Sequence, residues 1–283
     1  MNKVSDSFIL SNGVSIPCVG FGTWQIPDGD PVFSAVSSAL ETGYVHIDTA
    51  AAYGNEAGVG EAVRRYPGGR ENVFVTSKLW NDVRGYRETL DAFDRTMERL
   101  GFSYLDLFLI HWPAPYRFRD RYQELNRETW RAFEELYRSG KVRAIGVSNF
   151  LRHHLEELME TAEIAPMVDQ IEFHPGWMQT ETVSFCQQNG IQVEAWSPLG
   201  SGKLLQEPKL HSIAEKYGKS PAQLCLRWIL QKGILPLPKS VTKERILQNT
   251  QLFDFCISSE DVQIMDSLSC VGRTGSDPDN AKF

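Results

Sequence analysis

Four side chains suited to proton transfer end or follow successive buried runs of the sequence. Asp48, Lys78 and His111 are each the last residue of such a run, and Tyr53 lies shortly after Asp48. A tyrosine hydroxyl titrates near pH ~10, and a neighbouring ammonium favours the phenolate and lowers that pKa. We therefore expect Lys78 to tune Tyr53, and Asp48 to keep Lys78 charged. A neutral His111 would orient a substrate oxygen, so the quartet suits giving a proton to a developing alkoxide.

Each member of this quartet alone also has a structural explanation. Asp48 could cap a loop, Lys78 could pair with it, and Tyr53 and His111 could simply pack. Burying so much polarity at one rim is costly unless the groups satisfy one another, and this favours a functional interpretation. One rival chemistry is a Schiff-base lyase or aldolase with Lys78 as the nucleophile. Asp48 beside the amine argues against it, because the carboxylate would keep the amine protonated.

Two further groups of residues suit a nucleotide cofactor. Ser148, Asn149 and Gln170 offer hydroxyl and amide groups for a carboxamide, and Trp196 offers a flat face for a heteroaromatic ring, which together suit nicotinamide. Ser148 and Asn149 could instead only begin the next helix as N-cap residues. After the last buried run, residues 238–245 predict a turn that opens a short helix. Their polar side chains suit the extra phosphate of a cofactor. Alternatively, they form only a basic, solvated start of that helix. These side chains are Lys239, Ser240, Thr242 and Arg245.

Eight short buried runs alternate with amphipathic stretches along the chain, one unit about every 30 residues. The predicted strands are 19–23, 45–48, 73–78, 105–111, 142–148, 167–172, 192–197 and 234–238. The predicted helices include 32–41, 56–65, 86–100, 128–139, 154–160, 180–189 and 221–232. Eight such units predict an α/β fold, a (β/α)8 TIM barrel whose strands carry the catalytic groups at their carboxyl ends, with an open doubly wound sheet as the alternative.

Three features lie outside this repeat. An Asn-Gly pair predicts a β-hairpin over 8–16, the connection 113–127 reads as a long loop, and 270–283 is a short polar tail. No change of composition and no linker divides the chain, so we expect a single domain over 1–283.

Composition excludes several classes of function. The 283 residues carry 29 Lys plus Arg against 36 Asp plus Glu, a net charge of -7 that argues against a nucleic acid partner. The 5 cysteines lie far apart without metal-ligand spacing, which suits a reduced, cytoplasmic chain. No signal sequence and no membrane-spanning run is apparent, and we expect a monomer. We also expect no metal at the His153-His154 pair, because adjacent residues of a helix do not face the same way.

The motifs in this order resemble the aldo-keto reductase family over essentially the whole chain. The stretches that carry the resemblance are GFGTW at 20–24, GYVHIDTA at 43–50, LIHWP at 109–113, IGVSNF at 145–150, WSPLG at 196–200 and PKS at 238–240. The resemblance implies that Tyr53 is the proton donor, with Lys78 and Asp48 tuning it and His111 steering the carbonyl. The compact tail is similar to that of bacterial 2,5-diketo-D-gluconate reductases and glyoxal or methylglyoxal reductases.

The resemblance also implies NADPH lying extended across the barrel mouth. Trp196 would stack on the nicotinamide, while Ser148, Asn149 and Gln170 would hold its amide. Ser197, Pro198, Leu199 and Ser201 would contact the pyrophosphate. The remaining cofactor residues would be Gly22, Thr23, Trp24 and Val241, with Lys239, Ser240, Thr242 and Arg245 at the 2′-phosphate, and Gln248 and Asn249 at the adenine. Asp169 departs from the Asn of many members, and Trp196 from the Tyr of many animal members.

The substrate implied is a small aldehyde or ketone, a dicarbonyl or a keto sugar, reduced to an alcohol. Trp24, Trp80 and Trp112 would line an apolar substrate mouth. Arginines 117, 119 and 121 indicate either acidic substrates or only a solvated loop. A non-catalytic NADPH-binding regulatory subunit is the main functional alternative, against which the complete quartet speaks.

Overall fold

The computed structural model describes residues 1–269 and 272–283, so Cys270 lies outside the described residues. The chain opens with an antiparallel hairpin of β1 (Ser7–Ile9) and β2 (Ser15–Pro17). The hairpin prediction is confirmed, although the turn is longer than an Asn-Gly pair: the amide of Leu10 donates to the carbonyl of Val14 at 2.9 Å. Cys18, Cys186 and Cys256 are free thiols.

Eight parallel strands follow one another around a closed sheet in chain order. They are β3 (Phe21–Gly22), β4 (His46–Asp48), β5 (Phe74–Leu79), β6 (Leu105–Ile110), β7 (Val142–Ser148), β8 (Val168–Glu172), β9 (Gln192–Trp196) and β10 (Leu235–Pro236). The amide of Gly20 donates to the carbonyl of Pro236 at 3.1 Å and that of Gly22 to Pro238 at 3.0 Å, which joins the first strand to the last. The predicted (β/α)8 barrel is therefore confirmed.

Ten helices surround this barrel within the described residues. They are α1 (Asp30–Glu41), α2 (Glu56–Arg64), α3 (Tyr86–Leu100), α4 (Tyr122–Arg138), α5 (Arg152–Met159), α6 (Thr180–Gln188), α7 (Pro208–Lys216), α8 (Pro221–Gln231), α9 (Lys243–Gln248) and α10 (Ser259–Asp266). Helix α8 begins with a capping box, in which Ser220 and Gln223 each accept from the other's backbone amide. Within the described part of the chain, no helix has the length and apolar character that crossing a bilayer requires.

The connection 113–127 is not the long loop that we expected. A 3-10 helix over Tyr116–Arg121 leads directly into α4, which begins at Tyr122 rather than near residue 128. Arg117, Asp120, Arg121 and Glu124 of this stretch are exposed, while Asn126 donates its Nδ2 hydrogen to the carbonyl of Pro113 at 3.1 Å. The prediction was wrong because it began the helix too late and left a long connection, whereas a surface helix accommodates the charged residues of this stretch on its outer side.

The apolar layer between strands and helices positions the barrel rim. On one side, Phe108 of β6 stacks on Phe133 of α4 with ring centroids 4.7 Å apart, and Trp130 stacks on Phe133 in turn. Inside the barrel, a Cβ atom at residue 20 would lie 2.8 Å from Nδ1 of His46. Glycine at that position therefore leaves the interior room for a histidine.

Candidate active site

The four residues expected to transfer a proton meet at the carboxyl ends of β4, β5 and β6. The Nζ atom of Lys78 donates to both carboxylate oxygens of Asp48 at 2.7 and 2.8 Å, and to the carbonyl of Thr49 at 2.9 Å. The hydroxyl of Tyr53, in a short 3-10 helix after β4, lies 3.4 Å from the same Nζ. The ring of His111 packs edge-on against that of Tyr53, with centroids 5.8 Å apart.

The charge state of Lys78 follows from its partners. Its side chain is fully buried, and burial alone would lower its pKa. The carboxylate of Asp48 and the phenol of Tyr53 outweigh burial, so the pKa of Lys78 is raised. The amine therefore keeps its proton, which disfavours the rival in which Lys78 attacks a carbonyl as a neutral nucleophile.

The pKa of Tyr53 is raised, which corrects the expected direction. Burial is the largest cause and outweighs the lowering by Lys78, while Asp48 adds to the rise. The expectation was wrong because it weighed the ammonium and left out desolvation of the phenolate. The pKa of His111 is lowered well below its usual value, first by burial and then by the cations Lys78 and Arg84. At neutral pH the site thus holds a phenol that retains its proton and an uncharged imidazole.

A cavity of about 1040 Å³ opens above these residues, and Asp48, Tyr53 and His111 line one end of it. Most of the residues expected to bind a cofactor line it as well. They are Gly22, Trp24, Ser148, Asn149, Gln170, Trp196, Ser197, Pro198, Leu199, Ser201, Lys239, Ser240, Arg245, Gln248 and Asn249. Thr23, Val241 and Thr242 are not among the lining residues. Thr23 instead donates its hydroxyl hydrogen to the carbonyl of Asp48 at 2.9 Å, and so supports the catalytic loop.

The polar residues at the buried end of the cavity form one network. Asn149 donates Nδ2 hydrogens to the carbonyl of His111 and to Oγ of Ser148, both at 3.0 Å, and its Oδ1 accepts from Nε1 of Trp196 at 2.9 Å. Ser148 in turn donates to the carbonyl of Gln170 at 2.8 Å. The orientation of the Trp196 ring is therefore held by hydrogen bonds as well as by packing. Asp169 points away from the cavity, with its Oδ2 3.9 Å from Sγ of Cys186.

Strained backbone is concentrated along the same cavity. Five non-glycine residues of the described chain have positive φ, and four of them line it: Gln25, Asn149, Ser197 and Ser201, with φ between 50° and 62°. Left-handed backbone is unfavourable for residues other than glycine and persists where the surroundings impose it, which is typical of binding sites.

The far end of the cavity is exposed and basic. Lys239 and Arg245 are exposed residues on the segment that follows β10, and neither has an ion-pair partner within the described residues. The amide of Thr242 donates to Oγ of Ser240 at 3.1 Å and shapes the turn before α9. This end has the charge that a phosphate group requires.

Aromatic side chains surround the cavity mouth beside Tyr53. Trp24, with 55% of its surface exposed, lies at the edge, and Trp80 and Trp112 line the wall as expected. Phe283, which the sequence did not single out, stacks on Trp80 with centroids 5.7 Å apart and meets Trp112 edge-on at 5.1 Å. An apolar group of a substrate would therefore be enclosed on several sides.

A model of the aldo/keto reductase family matches residues 18–269 of this sequence. The chain belongs to the aldo/keto reductase family. Glyoxal reductase of Bacillus subtilis is 48% identical to this reductase over 281 residues, which cover 99% of each protein. The crystal structure of MGS-M4, an aldo-keto reductase from a Medee basin deep-sea metagenome library, is similar with a TM-score of 0.92 at 42% identity, covering 98% of this chain and 100% of that one. A Gox0644 mutant crystallised in complex with NADPH has a TM-score of 0.88 at 38% identity, covering 99% of each chain.

Two buried residues that support the site of this aldo/keto reductase escaped sequence reasoning. Arg84 donates to the carbonyls of Trp80 at 3.1 Å and Trp112 at 2.5 Å, and so ties the two aromatic walls together. Glu172 accepts from the backbone amides of Thr274 at 2.7 Å and Gly275 at 3.1 Å, which holds the tail beside the cavity. Arg84 lies outside the predicted strands and has no signal in the sequence, whereas Glu172 ends the predicted strand 167–172 and could have been found as a polar residue at a strand end.

The three arginines of 116–121 do not line the cavity of this reductase. Arg121 pairs with Glu124 at 2.8 Å, and Arg119 donates to the carbonyl of Ala281. Arg117 lies over the ring of Phe118 at 5.4 Å. Arg117 and Arg121 are exposed, as the solvated alternative expects, and Arg119 is half-buried against the tail; none of these contacts supports selection of acidic substrates.

His153 and His154 do approach a common point, so the geometric reason given against a metal site was wrong. Both Nε2 atoms lie near Oδ1 of Asp279, at 2.8 and 3.0 Å. His154 points back along α5, where its Nδ1 accepts from the amide of Leu151 at 3.1 Å, and this brings its ring beside that of His153. That hydrogen bond places the proton of a neutral His154 on Nε2, which leaves no lone pair there for a cation.

Proposed function

We propose that this aldo/keto reductase is an NADPH-dependent carbonyl reductase in which Tyr53, Lys78, Asp48 and His111 form the proton-transfer machinery. The observation that carries the proposal is the buried chain of contacts from Asp48 through Lys78 to the Tyr53 hydroxyl, at one end of a cavity of about 1040 Å³. A cavity that is basic at its other end suits an extended dinucleotide phosphate.

The residues divide the reaction as follows. NADPH, when bound, supplies the hydride that reduces the carbonyl carbon. Tyr53 gives its hydroxyl proton to the carbonyl oxygen as negative charge develops there, so that an alcohol and a phenolate result. The Lys78 ammonium stabilises that phenolate, and Asp48 keeps the ammonium charged. The uncharged His111 donates a hydrogen bond that orients the carbonyl oxygen.

The chain's own residues fit the cofactor. Trp196 is held in place by Asn149 and presents an aromatic face to the cavity, and Ser148 and Gln170 lie beside it. Lys239 and Arg245 would bind the 2′-phosphate, Ser197 and Ser201 the pyrophosphate, and Gln248 and Asn249 the adenine. Val241, Thr242 and Thr23 would act through the backbone around these groups.

Replacing Tyr53 by Phe tests the proposal. We expect turnover of carbonyls to fall by about a hundredfold or more, while the Kd for NADPH stays within about twofold because the hydroxyl acts on the substrate. Turnover is followed by the loss of NADPH absorbance, and NADPH binding is followed by quenching of tryptophan fluorescence. Tyr116→Phe is the matched control, since that ring is 66% exposed and outside the cavity lining. Equal turnover in Tyr53→Phe and the control would remove Tyr53 from the mechanism.

We also propose small aldehydes, ketones, dicarbonyls and keto sugars as the substrate class. The support is the aromatic mouth, together with the high identity to a glyoxal reductase. Turnover of glyoxal, methylglyoxal, keto sugars and aromatic aldehydes with NADPH, and with NADH for comparison, tests both choices. Tight NADPH binding without turnover of any of them would favour the alternative of a regulatory subunit. The proposal further includes a single domain over 1–283 that acts as a cytoplasmic monomer without a metal.

A further inference from the structure

A second polar layer lies inside the barrel, one step further from the carboxyl ends than the catalytic residues. We call His46, Thr76 and Glu194 the lower polar layer. His46 precedes Asp48 by two residues in β4 and Glu194 precedes Trp196 by two residues in β9, so each faces the same side as its neighbour above. All three are 0% exposed. Barrel interiors are usually filled by branched apolar residues, so a buried carboxyl here needs an explanation.

Gln170 connects the lower polar layer to the catalytic residues. Its Nε2 donates to Oδ2 of Asp48 at 2.8 Å and to Oε2 of Glu194 at 2.7 Å. An amide nitrogen carries two hydrogens, and both are engaged here. The opposite orientation of the amide would place its oxygen against the carboxylate of Asp48. The remaining polar atom, Oε1, is therefore the group that Gln170 can offer to the cavity that it lines.

We propose that Glu194 is a positioning residue for the nicotinamide: it holds the second N–H of Gln170, so that the Gln170 amide oxygen accepts from the carboxamide of the cofactor. With Asp48 as its only acceptor, the amide could rotate about that one bond. With two acceptors on different strands, its plane and its oxygen are fixed. The inference rests on the proposed function, because it takes this end of the cavity to hold the nicotinamide.

The charges around Glu194 give the inference a second consequence. The titratable groups that face it are His46 and Asp48 of β4 and Lys78 of β5. Burial and the charge of Asp48 raise the pKa of Glu194 to about 8, against the hydrogen bond from Gln170 and the charge of Lys78. Burial and Lys78 lower the pKa of His46 to about 3, so its imidazole is neutral.

Glu194 is thus mainly protonated at neutral pH and becomes an anion in the alkaline range. The nicotinamide ring is positive in NADP⁺ and uncharged in NADPH. An anion beneath it should therefore strengthen the binding of NADP⁺ relative to NADPH as the pH rises. If Glu194 had a purely structural role, the ratio of the Kd for NADP⁺ to the Kd for NADPH would not depend on the ionisation of its carboxyl group.

The first test is Glu194→Leu, with Thr76→Val as a control in the same layer that does not touch Gln170. We expect the Kd for NADPH to rise about fivefold to tenfold in Glu194→Leu, the effect of one lost hydrogen bond. The Kd for 2′,5′-ADP, which lacks the nicotinamide, should not change, and Thr76→Val should match the wild type. An unchanged Kd for NADPH would overturn the inference, and so would an equal weakening of both ligands.

The second test is Glu194→Gln, which keeps the size and an acceptor oxygen but cannot ionise. We expect its Kd for NADPH to stay near the wild-type value. In the wild type the ratio of the Kd for NADP⁺ to that for NADPH should fall between about pH 6 and about pH 10, and in Glu194→Gln this fall should be lost. Identical pH profiles would overturn the inference. If the wild type binds no NADPH, the proposed function itself fails. If the wild type binds NADPH and both Glu194 variants bind it in the same way, only the role inferred for Glu194 is refuted.

Discussion

The two ends of the cavity are built in opposite ways. At the end beside Tyr53, where we propose that proton transfer occurs, Lys78 and Gln170 are buried and each donates to more than one acceptor. At the end that we propose to bind the 2′-phosphate, Lys239 and Arg245 are exposed, and the described residues offer them no ion-pair partner. Proton transfer needs fixed atoms, whereas binding an anion needs only available charge. Changes at the buried end should therefore alter chemistry and stability together, and changes at the exposed end should alter affinity alone.

The largest effect is expected from Lys78→Met. It leaves Asp48 as a buried carboxylate without its cation, and it removes the charge that stabilises the Tyr53 phenolate. We expect turnover to fall by about 10²- to 10⁴-fold and the free energy of unfolding by about 3–5 kcal/mol. Carbonyl reduction and urea unfolding measure the two effects. Lys239→Met is the control for stability, and a Lys78→Met protein as stable as this control would contradict the contrast between the two ends.

Sequence reasoning predicted that Asp48, Lys78 and Tyr53 meet at one rim because polar residues at strand ends stand out against apolar runs. The ends of β4 and β5 carry Asp48 and Lys78, and once the barrel was inferred, their meeting followed from its geometry. The strand order was equally accessible, since each predicted run is followed by a helical pattern. The features that could be predicted from the sequence were therefore the alternation of strands and helices and the position of polar residues along each strand.

The parts that escaped depend on contacts between distant residues. Gln170 was assigned to the cofactor, but its bonds to Asp48 and Glu194 join three strands and have no local signal. Helix α7, helix α10 and the 3-10 helix before α4 were not among the predicted helices; each is short and lies outside the regular alternation of strand and helix. The direction of the Tyr53 pKa depends on burial, which only the packed structure supplies.

The next effect concerns stability at the buried end. The pKa of Glu194 is raised from 4.5 to about 8, so the folded protein keeps a proton that the unfolded chain loses. The stability that this group contributes is full below about pH 4.5 and is lost as the pH rises to about 8. We expect Glu194→Gln to gain in Tm relative to the wild type over this range, measured by thermal unfolding without cofactor. A difference in Tm that does not vary with pH would show that the carboxyl does not titrate there.

A smaller effect is expected at the exposed end. Lys239→Met and Arg245→Met should each raise the Kd for NADPH about tenfold, the effect of a lost charge-assisted hydrogen bond. The Kd for NADH should not change, because that cofactor lacks the 2′-phosphate, and Tm should stay at the wild-type value. Lys243→Met is a matched control, since this neighbouring lysine pairs with Glu41 at 3.3 Å. Equal losses for NADH and NADPH would mean that these cations do not recognise the phosphate.

The smallest effect is expected at the tail, which has both exposed polar contacts and aromatic ones. The carboxylate of Asp279 contacts the imidazoles of His153 and His154, although its side chain is 43% exposed. Phe283, four residues later, packs against Trp80 and Trp112. A hydrogen bond to a partly exposed carboxylate contributes about 1 kcal/mol, so Asp279→Asn should raise KM for aldehydes by no more than about fivefold. Asp254→Asn likewise removes an exposed carboxylate, which pairs with Lys219 at 2.6 Å and lies away from the cavity, and serves as the control. A loss of kcat in Asp279→Asn would show that the tail orders the catalytic residues, whereas a change confined to KM shows that it only encloses the substrate.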